Sequence, residues 1–480
     1  MLYPMPSQAA LQSQFVGKRI EDLTGPAAIL DVAVARNNCS AMLKTVDKLK
    51  CHFRAHVKTH KTLQLTELQV PDPRPLRLIA STIAEIENLM PLMLESLAKG
   101  REVDMLYGVP FCVSAFPRIA ELNRLLMRCS TPHHNSRPNF MGPLSVLVDH
   151  PAQLEFVQRA KAEGLEGAYV GIFIKIDTGY HRAGVSVKSE SLAEMLRMLS
   201  RKPGMPDLNL RGFYSHLGHS YGFSTPAESV EGLIAEIRGL SDAVFPSMPR
   251  GEGPLLLSVG ATPTATSAQN LLALSDNDPA MQQWHQLGEE LDQKSCQLEL
   301  HAGVYPLLDL QQVATGARPS EQSQPSIPAT LSTKDIGLRI LVEVASTYSD
   351  RAKPEALIPA GNLALGREPC KSYPGWGIVT PWRASRESGT LPGDGEKAFY
   401  DPARNRKGWI VGRVSQEHGM LTWESGDGDE FEPLNIGQKL LVWPNHACIA
   451  AAGYGWYYVV DSESEDSAIV RDVWVRWRGW

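Results

Sequence analysis

The chain has 480 residues, 43% hydrophobic and 21% charged, with a formal net charge of −6. That length allows two domains with sizeable cores. The acidic balance argues against a general binder of nucleic acid or anionic membrane, which is usually basic. Seven cysteines are scattered without a CxxC pair, and the start MLYPMPSQAALQSQ lacks a basic region followed by an apolar run. Reduced thiols and an intracellular, cytoplasmic protein are expected. No stretch approaches the ~18 apolar residues of a spanning helix, so no membrane partner is expected.

Along the chain, AAILDVA (27–33) reads as a strand and ARNNCSAMLKTVDKLK (35–50) as an amphipathic helix. A strand follows at Phe53–Val57, then LRLIAST (76–82), a helix over 83–100, and the strand VDMLYG (103–108). LSVLVD (144–149), a helix over 151–164, YVGIFIKID (169–177), LRGFYSH (210–216), PLLLSVG (254–260) and LELHAGVYPLLD (298–309) continue the alternation. Apolar strands alternating with helices imply a parallel sheet covered by helices. Their number over 27–315 suits an α/β (β/α)8 barrel. A doubly wound open sheet has the same periodicity and stays open as an alternative. From residue 333 the segments become short, β-branched and aromatic, as in IGLRILVEVAST, QKLLVWPNHACIA and GWYYVVD. That texture predicts an all-β domain over 333–480, with roughly 1–26 joining it. Segments near 128–143, 315–333 and 383–408, rich in Pro, Ser, Gly and charge, read as mobile loop insertions.

The stretch CHFRAHVKTHKTL carries the first candidate site. Strand alternation puts Arg54, His56 and Lys58 on one face and Phe53, Ala55 and Val57 on the other. On an early barrel strand, Lys58 would stand at the C-terminal mouth, where such barrels keep their chemistry. A lysine partly desolvated beside other cations becomes an amine nucleophile suited to a Schiff base with a carbonyl. A solvated basic edge fits the same residues.

PLLLSVGATPTATSA reads as a strand followed by an anion loop. Gly260 lets the backbone approach closely, and N–H groups near Ala261 with the hydroxyls of Ser258, Thr262 and Thr264 could ligate phosphate. A following helix start would add its positive end. An N-cap and turn would use the same residue types. A lysine at one strand end and a phosphate loop at a later one together suggest pyridoxal 5′-phosphate. Between them, Arg182 could pair with cofactor or substrate carboxylate, or form a structural salt bridge with Asp177. His216 could stack on a flat ring, and Tyr221 could hydrogen-bond phosphate or substrate; either could be a wall residue. His301, Gly303 and Tyr305 stand at the exit of the last barrel-like strand.

In PNHAC, His446 and Cys448 are two apart and share a side of an extended segment. Imidazole and thiolate suit zinc, and two ligands leave an open, catalytic type of site. A buried cysteine beside a polar histidine is the structural alternative.

HVKTHKT, IDTGYHRAG, SHLGHSYG, SVGATPT, ELHAGVYPLLD and PNHAC occur in one order. Together they resemble the eukaryotic D-serine dehydratases and the related D-threonine aldolases, fold-type III pyridoxal-phosphate enzymes similar in architecture to alanine racemase. The resemblance implies an N-terminal (β/α)8 barrel of the alanine-racemase type, a C-terminal β-domain and a homodimer. It matches Lys58 to the Schiff-base lysine, Gly260–Thr264 to the phosphate cup, and His446 and Cys448 to a zinc pair. The aldolases carry a carboxylate at the cysteine position, so Cys448 points to the dehydratase branch and to D-serine as substrate. Departures are Ala55, where the family often has proline, and the long loops. Retro-aldol cleavage of D-3-hydroxy amino acids, a racemase and a non-catalytic pyridoxal-phosphate carrier remain as alternatives.

Overall fold

The computed structural model describes residues 4–129, 142–199, 208–247, 254–318, 331–384, 399–425 and 431–480. Most of the three loop insertions lie outside these residues, as does the mobility expected of them. Among the described residues no helix is long and apolar enough to cross a membrane.

The first strand, β1 (Ala27–Asp31), is followed by β2 (His52–His56), β3 (Leu76–Ala80), β4 (Val103–Pro110), β5 (Leu144–Val148) and β6 (Gly171–Asp177). Then come the two-residue β7 (Val185–Ser186), β8 (Asn209–Tyr214), β9 (Leu255–Val259) and β10 (Cys296–Ala302). The order β5-β4-β3-β2-β10-β9-β8-β6 closes on itself through a β5–β6 pairing, and the pairings are parallel. The sheet is therefore an eight-stranded barrel, and closure excludes the open doubly wound alternative. Helices with defined starts cover it. Asp31 caps Val32–Lys48, Thr82 caps Ile83–Ala98, and Thr225 and Glu228 form a capping box on Pro226–Val244.

The barrel takes no strand before His52, a departure from the expected boundary at residue 27. β1 pairs instead with β11 (Leu338–Glu343) antiparallel and with β18 (Trp456–Val460) parallel. The reason is closure: eight parallel strands already satisfy each other's edges, whereas β11 and β18 leave a slot between them. The other strands of this second sheet are β12 (Ser346–Tyr348), β13 (Glu355–Ile358), β14 (Gly377–Ala384), β15 (Gly408–Val414), β16 (Gly419–Glu424), β17 (Lys439–Pro444) and β19 (Asp472–Val475). Apart from β1–β18 its pairings are antiparallel. Leu11, Ile20 and Leu23 from the start of the chain pack with Tyr458 and Val473 of this sheet.

Two layers fill the barrel. Ile79, Leu106, Leu147, Phe173, Tyr214 and Leu256 form an apolar layer. Toward the N-terminal ends of the strands lies a charged layer. Arg54, fully buried, pairs with Asp104 and Glu299, each at 2.6 Å, with its guanidinium 5.3 Å from the Phe173 ring centroid. Arg211 also reaches Asp104, at 2.9 Å. Burial opposes ionisation of Asp104, but Arg211 and Arg54 outweigh it and hold the carboxyl well below the usual range. Removing one partner of such a buried network leaves uncompensated charge and costs about 3–5 kcal/mol. Arg54→Met should lower stability by that order, measured as the midpoint of urea unfolding. A change below about 1 kcal/mol would mean that the two carboxylates protonate or find other partners.

Candidate active site

β2 ends at His56, and Val57 continues its pairing by donating to the Ile79 carbonyl at 3.1 Å. Lys58 thus emerges at the C-terminal mouth, half-buried, its backbone N–H donating to His56 Nδ1 at 3.4 Å. The two later cations of the stretch part company. Lys61 Nζ forms an ion pair with buried Glu85 at 2.8 Å, whereas the Lys58 amine makes no ion pair among the described residues.

The surroundings of Lys58 differ from the expected cationic cluster. Arg54, on the same strand face, is neutralised deep in the barrel. The groups near Lys58 are His56, His216 and His301, and burial, aided by the Lys58 charge, holds all three imidazoles well below their ordinary pKa. They are neutral donors and acceptors. His216 Nδ1 donates to the Gly260 carbonyl at 2.8 Å. His301 stacks between Tyr214, with ring centroids 4.3 Å apart, and His216, at 6.0 Å. Its Nδ1 lies 3.1 Å from Ser258 Oγ, and its Nε2 is buried without a partner. Such an orphaned nitrogen suits a site that takes a ligand or ordered water.

The anion loop follows β9. Gly260 has φ +137°, and a Cβ there would lie 2.5 Å from the His301 carbonyl oxygen, so only glycine fits. Ala261 is the N-cap of the helix Thr262–Leu271, and its N–H is held by Thr264 Oγ1 at 2.9 Å. Of the three hydroxyls expected to ligate phosphate, Ser258 is engaged with His301 and Thr264 with Ala261. Thr262 Oγ1 accepts from Val304 N at 3.2 Å and keeps its own proton to donate. What remains for an anion is that hydroxyl, the N–H groups opening the helix, and the positive helix end. Glu236 lies beneath the loop, fully buried; burial raises it to about 7, opposed by the Ser215 hydroxyl and the Gly260 N–H.

Arg182 is exposed, its guanidinium 5.1 Å from the Tyr180 ring centroid. The salt bridge with Asp177, the alternative role of Arg182, is not made, because Asp177 is taken by the His181 ring at 2.8 Å and by the N–H groups of Gly179 and His181. Lys175 holds the inner position, 4.7 Å over the Tyr214 ring; burial, then the Arg182 charge, lower it to about 8. Tyr221 rides on the short turn Gly218–Gly222, its ring near-parallel to His446 at 6.5 Å and its hydroxyl directed to Thr262 and Gln312. It therefore connects the anion loop to the histidine–cysteine pair.

That pair is not on an extended segment. His446 is the N-cap of a four-residue helix, Ala447–Ala450, and Cys448 lies in its first turn. The two still meet. Burial would raise the thiol, but the hydrogen bond and charge of His446, with Lys58 and Thr59, carry it below the ordinary value. Burial would lower the imidazole, but Cys448, Asp309 and Glu368 raise it to about 9. Each member therefore favours the charged form of the other, and a metal ion could take the place of the proton they share. Thr59 Oγ1 lies 3.1 Å from Cys448 Sγ, which brings the pair to the lysine. Asp309, buried, accepts Ala447 N at 2.9 Å and so orients the loop. Among the described residues no group of three or more His, Cys, Asp and Glu could hold a metal ion.

Lys175, Glu236 and Asp309 carry no role in a reading by sequence alone. Lys175 and Asp309 stand inside quoted motifs, and a charged residue at an inward position of an apolar strand is the signal for the first. Glu236 has none, being one acidic residue of an amphipathic helix.

Comparison with known proteins agrees with this architecture. Residues 30–276 match the "Alanine racemase, N-terminal domain" family, and residues 337–460 the "Putative serine dehydratase domain" family. The D-threo-3-hydroxyaspartate dehydratase of Delftia sp. shares the fold, with a TM-score of 0.67, 24% identity, and coverage of 96% of this chain and 100% of the other. The D-serine dehydratase of Schizosaccharomyces pombe is 33% identical over 98% of this chain and 95% of its own. That of Saccharomyces cerevisiae is 31% identical over 98% and 99%. With relatives this similar running nearly end to end, on a barrel whose mouth joins Lys58 to the His446–Cys448 loop, the chain belongs to the D-serine dehydratase family.

Proposed function

We propose that the protein is a pyridoxal-phosphate- and zinc-dependent dehydratase that converts D-serine to pyruvate and ammonia. The observation that carries this reading is the position of Lys58. Its amine has no ion pair among the described residues and stands between the Gly260–Thr264 loop and the His446–Cys448 pair. Family membership supports the substrate.

The residues present fit the cofactor. Lys58 would hold its aldehyde carbon, and the opening N–H groups of the helix Thr262–Leu271 with the Thr262 hydroxyl would hold its phosphate. Pyridoxal phosphate, when bound, supplies an electron-accepting ring that makes the α-proton of an amino acid acidic. Lys58 Nζ, freed once the substrate amine takes its place on the aldehyde carbon, would be the base that takes that proton. The neutral His56, His216 and His301 line the pocket without adding cations that would compete for the cofactor's negative charge. Lys175 and Arg182 supply positive charge on the β6 side, where Arg182 can meet the substrate carboxylate. His446 and Cys448 would hold zinc, which as a Lewis acid would favour departure of the β-hydroxyl. A thiolate ligand suits zinc better than manganese, which supports elimination over the aldolase alternative.

A second copy completes the reading, as a homodimer. Leu363, 53% exposed, and Ile449, 45% exposed, belong to short helices that pack together beside the mouth and offer an apolar patch for it. A cytoplasmic setting goes with the seven free thiols.

Purified protein should release pyruvate from D-serine, lose that activity on thorough chelation and regain it with zinc. Lys58→Ala should cut turnover by about 10²- to 10⁴-fold. Glycine and an aldehyde from D-threonine without pyruvate from D-serine would replace the reading with retro-aldol cleavage. Gly260→Val, which places a side chain against the His301 carbonyl, should weaken pyridoxal-phosphate binding at least about tenfold in a binding titration; unchanged affinity would move the phosphate site elsewhere. Sedimentation equilibrium should give twice the 52.8 kDa chain mass, and a monomer would leave the Leu363–Ile449 patch without its assigned partner.

A further inference from the structure

Behind the His446–Cys448 pair lies a residue whose hydrogen bonds leave one arrangement of protons. Gln311 is in the short helix Leu310–Ala314 that follows the barrel, and its side chain reaches the β-domain. Its Nε2 donates to the Pro369 carbonyl at 2.7 Å. Its backbone N–H donates to the Asn445 carbonyl at 3.1 Å. Its Oε1 stands 2.5 Å from His446 Nδ1.

A backbone carbonyl only accepts, so the amide nitrogen must face Pro369 and the amide oxygen must face His446. That oxygen also only accepts, so His446 Nδ1 must carry a proton. In the neutral ring the lone pair is then on Nε2, the one nitrogen left to bind a metal. Asp309 holds the next residue, Ala447, by its N–H at 2.9 Å, so the loop cannot easily turn the ring over. We infer that Gln311 is a positioning residue that keeps His446 in the Nδ1–H tautomer and thereby makes Nε2 the metal-binding atom. The inference rests on the zinc part of the proposed function. Gln311 comes from the barrel side and His446 from the β-domain, so metal affinity depends on how the two are docked.

The test is zinc affinity of the full chain by competition with a chromophoric chelator, with cobalt substitution to read the thiolate-to-metal absorbance. Gln311→Leu removes the acceptor and should weaken zinc about 10- to 100-fold. Gln311→Glu still accepts from Nδ1–H and should bind at least as tightly as the wild type. Gln311→Lys can only donate at that place and should bind weakly, which keeps the test decisive if the leucine variant fails to fold. Near-wild-type affinity in both Gln311→Leu and Gln311→Lys, with His446→Ala losing the metal, would overturn the positioning role and leave the zinc reading standing. Equal binding by wild type and His446→Ala would overturn the zinc reading and this inference with it.

Discussion

Asp309, fully buried between barrel and β-domain, accepts the N–H of Gln312 with one oxygen and that of Ala447 with the other, each at 2.9 Å. Burial pushes its carboxyl up, while His446 and these donors pull it back. Bonds from backbone N–H to a carboxylate are among the stronger ones, and a buried carboxylate without them would be costly. This carboxylate therefore ties the last barrel loop to the loop carrying His446 and Cys448. Gln311 N–H on the Asn445 carbonyl, at 3.1 Å, and the Tyr457 hydroxyl on the His60 carbonyl, at 3.2 Å, reinforce the same docking, which brings Gln311 and Thr59 to the pair.

The electrostatics of the mouth follow from where charge is compensated. The barrel bottom holds Arg54, Asp104 and Glu299 in mutual contact, out of water. The mouth holds imidazoles that burial keeps neutral, with Lys58 and Lys175 as the cations. An anionic cofactor group or a substrate carboxylate would meet those two lysines there. Glu236, raised to about 7 by burial, carries less negative charge near neutral pH than an ordinary carboxylate.

Several structural decisions are local and so visible in the chain. The alternation of apolar strands with capped helices is one, and the inward march of Arg54 and His56 is another. Gly260 is a third, since a left-handed glycine before a Thr-Pro helix start has few other uses. Others are not local. Thr59 and Cys448 are 389 residues apart and meet only when the domains dock. Ser258 looks like a phosphate ligand in a string of letters, but His301, 43 residues away, engages its hydroxyl. Arg182 and Asp177 look like partners by spacing, but His181, with φ +57°, turns its ring back onto the carboxylate and leaves the arginine outside.

The sequence by itself carried the fold class and the family, and it singled out Lys58, the Gly260–Thr264 loop and the His446–Cys448 pair as candidates. Each depends on residue type, periodicity and short spacing, which the chain carries directly. Tertiary structure alone decided that β1 serves the second sheet, that Lys61 and not Lys58 is spent on an ion pair, and that the imidazoles near Lys58 are neutral. These depend on burial and on contacts between residues far apart in the chain. The free energies that set a strand's partner or a group's charge are properties of that surrounding, which no short stretch contains.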